Sequence, residues 1–361
     1  MNKITTHTAI ALVTNQAFFL FVAAYVICTL SFIHYHGLSD RFSIFMYIKP
    51  ATLQFIPVGM IFYAIYTFHI MIKIQPKNLF LYMFFQLKSS MTSYVFIRGV
   101  LTYLAICIFL STMTSFKFLI PEINPFSWDP ALDNFDRKLH GGYAPWEILQ
   151  PFLDQPIITR FIDMIYASWF IAMLTVLVWF IFLSKNEILR KRFLLSYLIA
   201  WTVNGSILAF IFSSVGPAFY ENIYPDINNP YHGLMVYLNV ANSNYPLLAL
   251  EAQQLLWGWH SSGAVGAGGG ISSMPSMHIS IATLILFVCW RTNRVAFRLF
   301  GAIFLLLILL GSVHLGWHYA IDGYLSIVST ALIWKISAYL VSDSNCQHNK
   351  LIDNTDAYST C

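Results

Sequence analysis

Long apolar runs separated by short polar segments make up most of the chain. A helix needs about 20 apolar residues to cross the roughly 30 Å hydrocarbon core of a bilayer. The sixth run is shorter than this, so it needs either a flanking turn or a thinner bilayer. The pattern predicts an all-α fold, a polytopic membrane helical bundle of about eight transmembrane helices, over residues 16–34, 51–72, 94–114, 161–183, 194–215, 277–290, 297–313 and 320–341.

Composition supports this interpretation and excludes a soluble protein. Apolar residues make up 58% of the chain and charged residues 10%, against roughly 45–50% and about 25% in soluble globular proteins. The net charge of +4 is small and scattered along the chain, which argues against a nucleic-acid partner. We therefore expect the lipid bilayer to be the main environment of the protein.

The basic residues predict an orientation. Short loops that carry Lys and Arg usually stay on the cytoplasmic side of a membrane. The most basic short turns, KNEILRKR at 185–192 and RTNRVAFR at 291–298, fall on the same side as both termini when eight spans are counted. We expect cytoplasmic N- and C-termini and two long outer loops at 115–160 and 216–276. In a bacterium the membrane would be the plasma (inner) membrane.

Two polar clusters interrupt the apolar pattern at predicted helix ends. They are SSMPSMHIS at 272–280 and HLGWHYAID at 314–322. Ionisable residues are rare in membrane helices and often functional. Both clusters lie at outer helix ends and are separated by a single helical hairpin, so we expect them to meet in space.

The first cluster has the pattern of a helix start. Pro275 suits a first helical turn, and Ser272 or Ser273 can cap it. The free N–H groups of such a turn favour an anion such as phosphate. His278 lies one turn into the predicted helix, facing the same point. The preceding run GAVGAGGG, at 263–270, is by itself a weak signal and more typical of a hinge than of a phosphate-binding loop.

The second cluster pairs a histidine with a carboxylate. His318 and Asp322 are four residues apart, which predicts one face of a helix. A carboxylate that accepts from one imidazole nitrogen leaves the other nitrogen free to attack and stabilises the imidazolium. His314, four residues earlier, extends the same stripe if the helix begins there. His278 could then protonate a leaving oxygen as a general acid.

Other interpretations of these residues stay open. Histidines near helix ends are often interfacial residues, and a His–Asp pair can be a polar contact between helices. His278, His314, His318 and Asp322 also suit a transition metal, which leaves a histidine-based metal transporter or metalloenzyme as an alternative of another class. A third alternative is an inactive scaffold or lipid-binding protein.

At these residues the chain resembles the type 2 phosphatidic acid phosphatase superfamily. The middle signature of that family, Pro-Ser-any-His, matches Pro275 to His278, and the end of its third signature matches His318 to Asp322. The resemblance implies His318 as a nucleophile that forms a phosphohistidine, Asp322 as its orienting partner and His278 as the acid. It also implies a six-helix core, here residues 91–342, after two additional helices in 1–90 and before a cytoplasmic tail at 343–361.

The chain departs from the family pattern at the phosphate-binding residues. Gly311 and Ser312 stand where the third signature has Ser-Arg, and the first signature, a lysine followed at a distance by Arg-Pro, has no recognised counterpart. The candidates for the missing positive charge are His314, Arg160, Arg137 and Lys138. The MPSMH and GWHYAID segments are closer to the inositol phosphorylceramide synthase-like branch, in which a His-His-Asp triad transfers a phospho-headgroup between lipids.

We therefore predict a membrane lipid phosphatase or phosphotransferase that acts through a phosphohistidine at the outer, extracytoplasmic face, with transfer favoured. The alternative within this class is a lipid or polyprenyl phosphate phosphatase. The substrate is expected to be a membrane lipid, and no metal or cofactor is expected. The predicted catalytic residues are His318, His278 and Asp322, and the predicted substrate-binding residues are Ser276, Met277, His314 and Gly270.

Overall fold

The computed structural model describes residues 3–357, without the side chains of residues 3, 51, 54, 55 and 343–357. Every regular element in this part of the chain is helical. The helices are α1 (Lys3–Thr14), α2 (Gln16–Tyr35), α3 (Ile48–Lys73), α4 (Leu79–Met91), α5 (Tyr94–Ile123), α6 (Asp129–Leu139), α7 (Pro145–Leu153), α8 (Pro156–Val178), α9 (Glu187–Thr202), α10 (Ala209–Ile211), α11 (Tyr220–Ile223), α12 (His232–Asn244), α13 (Leu248–Ser262), α14 (Met277–Trp290), α15 (Val295–His314) and α16 (Ala320–Ala357).

Within the described residues, seven helices are long and apolar enough to cross a membrane: Gln16–Tyr35, Ile56–Lys73, Tyr94–Ile123, Pro156–Leu183, Glu187–Ile211, Val295–His314 and Ala320–Ser342. They correspond to seven of the eight predicted spans, and the polytopic all-α bundle is confirmed. The predicted sixth span is α14, a helix of 14 residues. At 1.5 Å per residue it is about 21 Å long, so it is shorter than a full span, as its apolar run indicated.

Helix α14 lies inside the bundle, packed against α8, α9, α15 and α16. Its side chains from Ile279 to Ile285 are buried on every face. A helix that is apolar all round is typical of the centre of a bundle, so the sequence MHISIATLILFVCW explains this position. The short helix begins beside α16, and its first turn carries His278.

Helices also occupy the two predicted outer loops. Helices α6 and α7 lie in the first loop and α11, α12 and α13 in the second. We call these two segments, residues 124–155 and 212–276, the outer cap after the predicted outer loops, and they contact the bundle end where α14 and α16 begin. The predicted flexible run 263–270 connects α13 to the segment before α14. The existence of the two loops was thus predicted, but their helical content was not, and the first loop is shorter than predicted because α5 continues to Ile123 and α8 begins at Pro156.

Three buried carboxylates join this outer cap to the bundle. Asp136 accepts hydrogen bonds from the backbone N–H groups of Ala320 (2.9 Å) and Ile321 (3.2 Å), the first turn of α16. Asp163 on α8 accepts from the first turn of α13, at Leu248 and Ala249 (2.9 Å each). Carboxylates favour helix N-termini because these expose unpaired N–H groups and a positive dipole end.

Asp129 makes the third connection, two turns before Asp136 on the same face of α6. It is fully buried and accepts from the backbone N–H groups of Val215 and Gly216 and from the hydroxyls of Tyr224 and Tyr319. Burial raises the pKa of Asp129 and raises the pKa of Asp136 to about 6, opposed at Asp136 by the backbone hydrogen bond from Ala320. Asp129 thus contacts Tyr319, which is the residue next to His318.

Replacing Asp129 with asparagine is expected to lower the free energy of unfolding by about 3 kcal/mol, because an amide cannot accept all four hydrogen bonds and hydrogen bonds to charged groups contribute ~1.5–3 kcal/mol each. The measurement is the melting temperature of the purified protein in detergent. Asp226→Asn is the matched control, since Asp226 is an exposed aspartate of the same outer cap. Equal melting temperatures for the two variants would contradict the anchoring role.

Candidate active site

The segment before α14 is extended and held by the neighbouring loop. The backbone N–H of Ser273 donates to Ser214 O (2.9 Å), and that of Met274 donates to Ser214 Oγ (3.2 Å). The helix cap is Ser276, whose Oγ accepts from Ile279 N (3.5 Å). The prediction that Ser272 or Ser273 caps this helix was wrong, because the extended segment continues two to three residues further and Pro275 precedes the cap.

His318 does not lie on a helix. Helix α15 ends at His314 and α16 begins at Ala320, so the prediction of one helical face for His318 and Asp322 was wrong. The connection turns at Gly316, where φ is +75°, and the backbone N–H groups of Trp317 and His318 both donate to Ser312 O (3.0 Å). A left-handed residue in such a turn favours glycine. The pair still forms, because Asp322 reaches back over the helix start.

The hydrogen bonds of His318 define its tautomer. Its Nδ1 is 2.9 Å from Ser273 O and 3.3 Å from Asp322 Oδ2. A backbone carbonyl can only accept, so Nδ1 carries the proton and the lone pair is on Nε2. Asp322 Oδ2 also accepts from Ser273 Oγ (2.5 Å) and from Tyr319 N (3.2 Å). The carboxylate is therefore held in place, and the lone pair of His318 Nε2 is left available.

Ser273 is a residue that the sequence analysis missed in this role. The Ser273 carbonyl and Asp322 together orient the His318 ring, because both accept from His318 Nδ1. The Ser273 hydroxyl donates to Asp322 and so orients the carboxylate. The signal in the sequence was the serine pair ahead of Met274 and Pro275, which was interpreted only as a possible cap.

The structure brings His278 next to His318. The two ring centroids are 5.9 Å apart, and His278 stacks on Tyr166 at 4.7 Å and contacts Trp169 at 4.3 Å. Among the described residues, its ring nitrogens have no hydrogen-bond partner. The indole of Trp169 instead donates to the His278 carbonyl (2.9 Å), which fixes the backbone at the start of α14. Two imidazoles thus face a common space.

That space is a cavity of about 470 Å³ between α5, α8, α9 and α13. His278 and His318 line it, and its wall follows α8 from Asp163 to Met173, ten residues or about 15 Å of helix. Most of the wall is apolar, including Leu110, Met113, Phe170, Met173, Leu255, Leu256 and Ile271. The cavity therefore joins a polar end at the histidines to an apolar interior.

Two of the four predicted substrate-binding residues line this cavity, namely Met277 and Gly270. Ser276 is buried as the cap of α14 and is absent from the wall. His314 points elsewhere: its Nε2 is 2.9 Å from Thr159 Oγ1, beside the ring of Tyr237. It ends α15, one turn before the connection that carries His318, so the predicted stripe of His314, His318 and Asp322 does not form.

The basic residue at the cavity is Lys117 on α5, which was not among the candidates. Arg160 pairs with Asp163, and Arg137 with Asp133 and Glu147; neither arginine lines the cavity, and nor does Lys138. Lys117 has no ion pair or hydrogen bond within the described residues. An added Cβ at Gly270 would lie 3.0 Å from Lys117 Cγ, so glycine at this position leaves room for the lysine chain.

A signal for Lys117 was present in the sequence. The first family signature is a lysine followed at a distance by Arg-Pro, and Lys117 is followed by Asn124 and Pro125. The amide of Asn124 donates to Phe210 O (2.6 Å), so it supports the chain instead of replacing the arginine. A search that accepted other residues before the proline would have found Lys117.

A metal centre is poorly supported by the donor geometry. Among the described residues, no group of three or more His, Cys, Asp or Glu side chains is placed to hold a metal ion. The metal alternative relied on His314 joining His278, His318 and Asp322, and His314 lies apart from them.

Comparison with known proteins agrees with the motifs. A family model described as the PAP2 superfamily matches residues 130–336, more than half of the chain. Searches of curated proteins and of solved structures gave no match. The matched region contains both histidine motifs and the helices α8, α9, α14 and α15 that surround them. The chain therefore belongs to the type 2 phosphatidic acid phosphatase (PAP2) superfamily, whose members are phosphatase-type lipid phosphate enzymes.

Proposed function

We propose that this protein is a lipid phosphotransferase of the inositol phosphorylceramide synthase-like type that acts through a phosphohistidine intermediate. Residues 91–342 form its catalytic core. The observation that carries the proposal is the pair of imidazoles, 5.9 Å apart, at the polar end of an apolar cavity. Asp322 and the Ser273 carbonyl hold the His318 proton on Nδ1, so Nε2 is the free nucleophile.

The reaction has two displacements at phosphorus. His318 Nε2 attacks, an N–P bond forms, and the bond from phosphorus to the leaving oxygen breaks as His278 protonates that oxygen. An acceptor hydroxyl then attacks the phosphohistidine while His278 removes its proton, and His318 is released. Dividing one displacement into two is the advantage of a covalent intermediate, and positioning with charge stabilisation supplies most phosphoryl-transfer catalysis.

The charge of the cavity supports transfer between phosphodiesters. Among the described residues of the cavity wall, Lys117 is the one Lys or Arg. A phosphodiester carries a single negative charge, whereas a phosphomonoester carries about −1.5 to −2 at pH 7. One unpaired ammonium balances the diester. The apolar wall also disfavours water as an acceptor and offers a place for a hydrocarbon chain.

Replacing Lys117 with methionine is expected to lower kcat/KM by roughly 100-fold, because a charge-assisted hydrogen bond to the phosphate is lost while the length of the side chain is kept. Steady-state kinetics with a labelled phospholipid measure the effect. Lys138→Met is the matched control, since Lys138 lies on α6 outside the cavity. Unchanged kcat/KM in the Lys117 variant would show that the phosphate is bound elsewhere.

A labelled headgroup distinguishes the two reactions within this class. Purified protein is incubated with a phospholipid labelled at phosphorus, with and without a lipid that carries a free hydroxyl. Label recovered in a second lipid supports transfer, and label recovered only as free phosphate supports a lipid or polyprenyl phosphate phosphatase. Activity that a strong chelator removes would instead favour the metalloenzyme alternative.

The proposal places the site on the extracytoplasmic side of the membrane. It is supported by the basic short turns 185–192 and 291–298, which lie at the opposite helix ends from His278 and His318. Cysteine substitutions at exposed residues of the outer cap, labelled in intact cells by a thiol reagent that does not cross membranes, test the assignment.

A further inference from the structure

Two neutral hydrogen-bond donors beside the histidines lack acceptors. Tyr166 and Trp317 both line the cavity together with His278 and His318. Tyr166 is only 6% exposed, and its hydroxyl has no hydrogen-bond partner among the described residues; the same is true of Trp317 Nε1. A buried donor without a partner destabilises the fold, so such groups in native proteins usually serve a ligand or a water.

Stacking holds both rings at the active histidines. The Tyr166 ring stacks on His278 at 4.7 Å with an interplanar angle of 26°. The Tyr166 ring is also nearly parallel to the Trp317 ring, with the centroids 6.5 Å apart and an interplanar angle of 12°. Neither ring can turn away to find another partner without losing this packing. The two donors are therefore held within the same wall as the histidines.

Gly311 explains how a tyrosine ring fits here. An added Cβ at Gly311 would lie 3.0 Å from Tyr166 Cδ2 and 3.3 Å from Ile162 Cγ2, so a larger residue would displace the ring. Gly311 and Ser312 are the positions at which the chain departs from the Ser-Arg of the family's third signature. Ser312 contributes its carbonyl to the Trp317 and His318 N–H groups. Glycine in place of the signature serine thus makes room for Tyr166, whereas the Ser312 carbonyl contact does not depend on the side chain at that position.

We infer that Tyr166 Oη–H and Trp317 Nε1–H bind the non-bridging oxygens of the substrate phosphate, in place of the arginine that the chain lacks. This inference rests on the proposed function and deepens it. Lys117 supplies the positive charge, and the two neutral donors orient the phosphate through directional hydrogen bonds without adding charge. Preorganised donors of this kind stabilise the negative charge of a transition state most effectively in a site that excludes water.

Tyr166→Phe is the sharpest test, because it removes one oxygen and keeps the ring that stacks on His278. We expect kcat/KM to fall roughly 10- to 100-fold, the loss typical of one hydrogen bond to a charged group, and inhibition by orthovanadate to weaken. Tyr25→Phe is the matched control. Tyr25 is a tyrosine of α2 whose hydroxyl bonds Ser206 at 2.6 Å, outside the cavity wall.

The melting temperature in detergent separates binding from packing. A purely structural Tyr166 would lower the melting temperature and leave vanadate inhibition of the folded fraction unchanged, and that result would overturn the inference. If Tyr166→Phe does not fold, the Trp317→Phe variant provides the test, and we expect the same weakening of vanadate inhibition. Unchanged kinetics in both variants, with His318→Ala inactive, would reject these donors while leaving the proposed function intact. An active His318→Ala variant would reject the function itself.

Discussion

Replacing His318 with alanine is expected to reduce turnover by roughly four orders of magnitude or more, because the variant has no nucleophile and cannot form the covalent intermediate. His318 is the side chain whose geometry is best defined at the site. Its Nδ1 proton is held between Ser273 O at 2.9 Å and Asp322 Oδ2 at 3.3 Å. His278 is the other imidazole in the described part of the cavity wall, and neither a carboxylate nor a carbonyl holds its ring.

The measurement combines steady-state rates with rapid quenching of a reaction with phosphorus-labelled lipid. Wild-type protein should carry label in an acid-labile, base-stable linkage, and His318→Ala should carry none. His232→Ala is the control, since His232 lies on α12 with its side chain 67% exposed. Near-normal turnover in the His318 variant would show that the nucleophile has been wrongly assigned.

Replacing His278 with alanine is expected to lower turnover of a natural lipid by about 10²–10⁴-fold, the usual contribution of a general acid or base. The variant keeps the His318 nucleophile but cannot protonate the leaving oxygen. A substrate with a leaving group of low pKa needs no such proton. Its first step should therefore be nearly normal in the His278 variant.

The second step gives the sharper outcome. Removal of the acceptor proton also depends on His278, so label from an activated substrate should accumulate on His318 to a much higher level in the variant than in the wild type. Quenched-flow measurement of protein-bound label tests this directly. Equal losses for activated and natural substrates, with no accumulation, would mean that His278 maintains the structure of the site and transfers no proton.

The structure explains why these two variants should behave differently. His278 is held through its backbone, by the Trp169 indole, and through stacking on Tyr166, and its ring nitrogens are unpartnered among the described residues. A proton carrier needs such freedom. His318 is held through its ring, as a nucleophile with a defined tautomer requires.

Much of the site was predictable because its chemistry is local in sequence. The Pro-Ser-any-His and His-any-any-any-Asp patterns identified His278, His318 and Asp322, and the expected meeting of the two clusters is observed. The details of the second cluster were wrong for a physical reason. Residues four apart share a face only inside a helix, and the chain at His318 turns through Gly316 before α16 begins.

The residues that sequence analysis missed come from distant parts of the chain. Lys117 on α5 looked like a basic residue of an outer loop, although a helix of 30 residues carries it to the cavity wall. Tyr166 and Ser273 looked like parts of an apolar helix and a helix cap. Their importance depends on neighbours more than 40 positions away, such as the His318 beside Ser273.

By itself the sequence determined that this chain is an all-α membrane protein, because the composition and length of apolar runs depend only on the cost of placing polar groups in hydrocarbon. It also identified the two histidines and the aspartate that match the motifs of the family. Only the tertiary structure decided which cation, carbonyl and aromatic donors surround them. Those contacts arise from packing between helices and from buried carboxylates such as Asp136 that hold one helix start against another. Such contacts join distant positions and leave no periodic signal in the sequence.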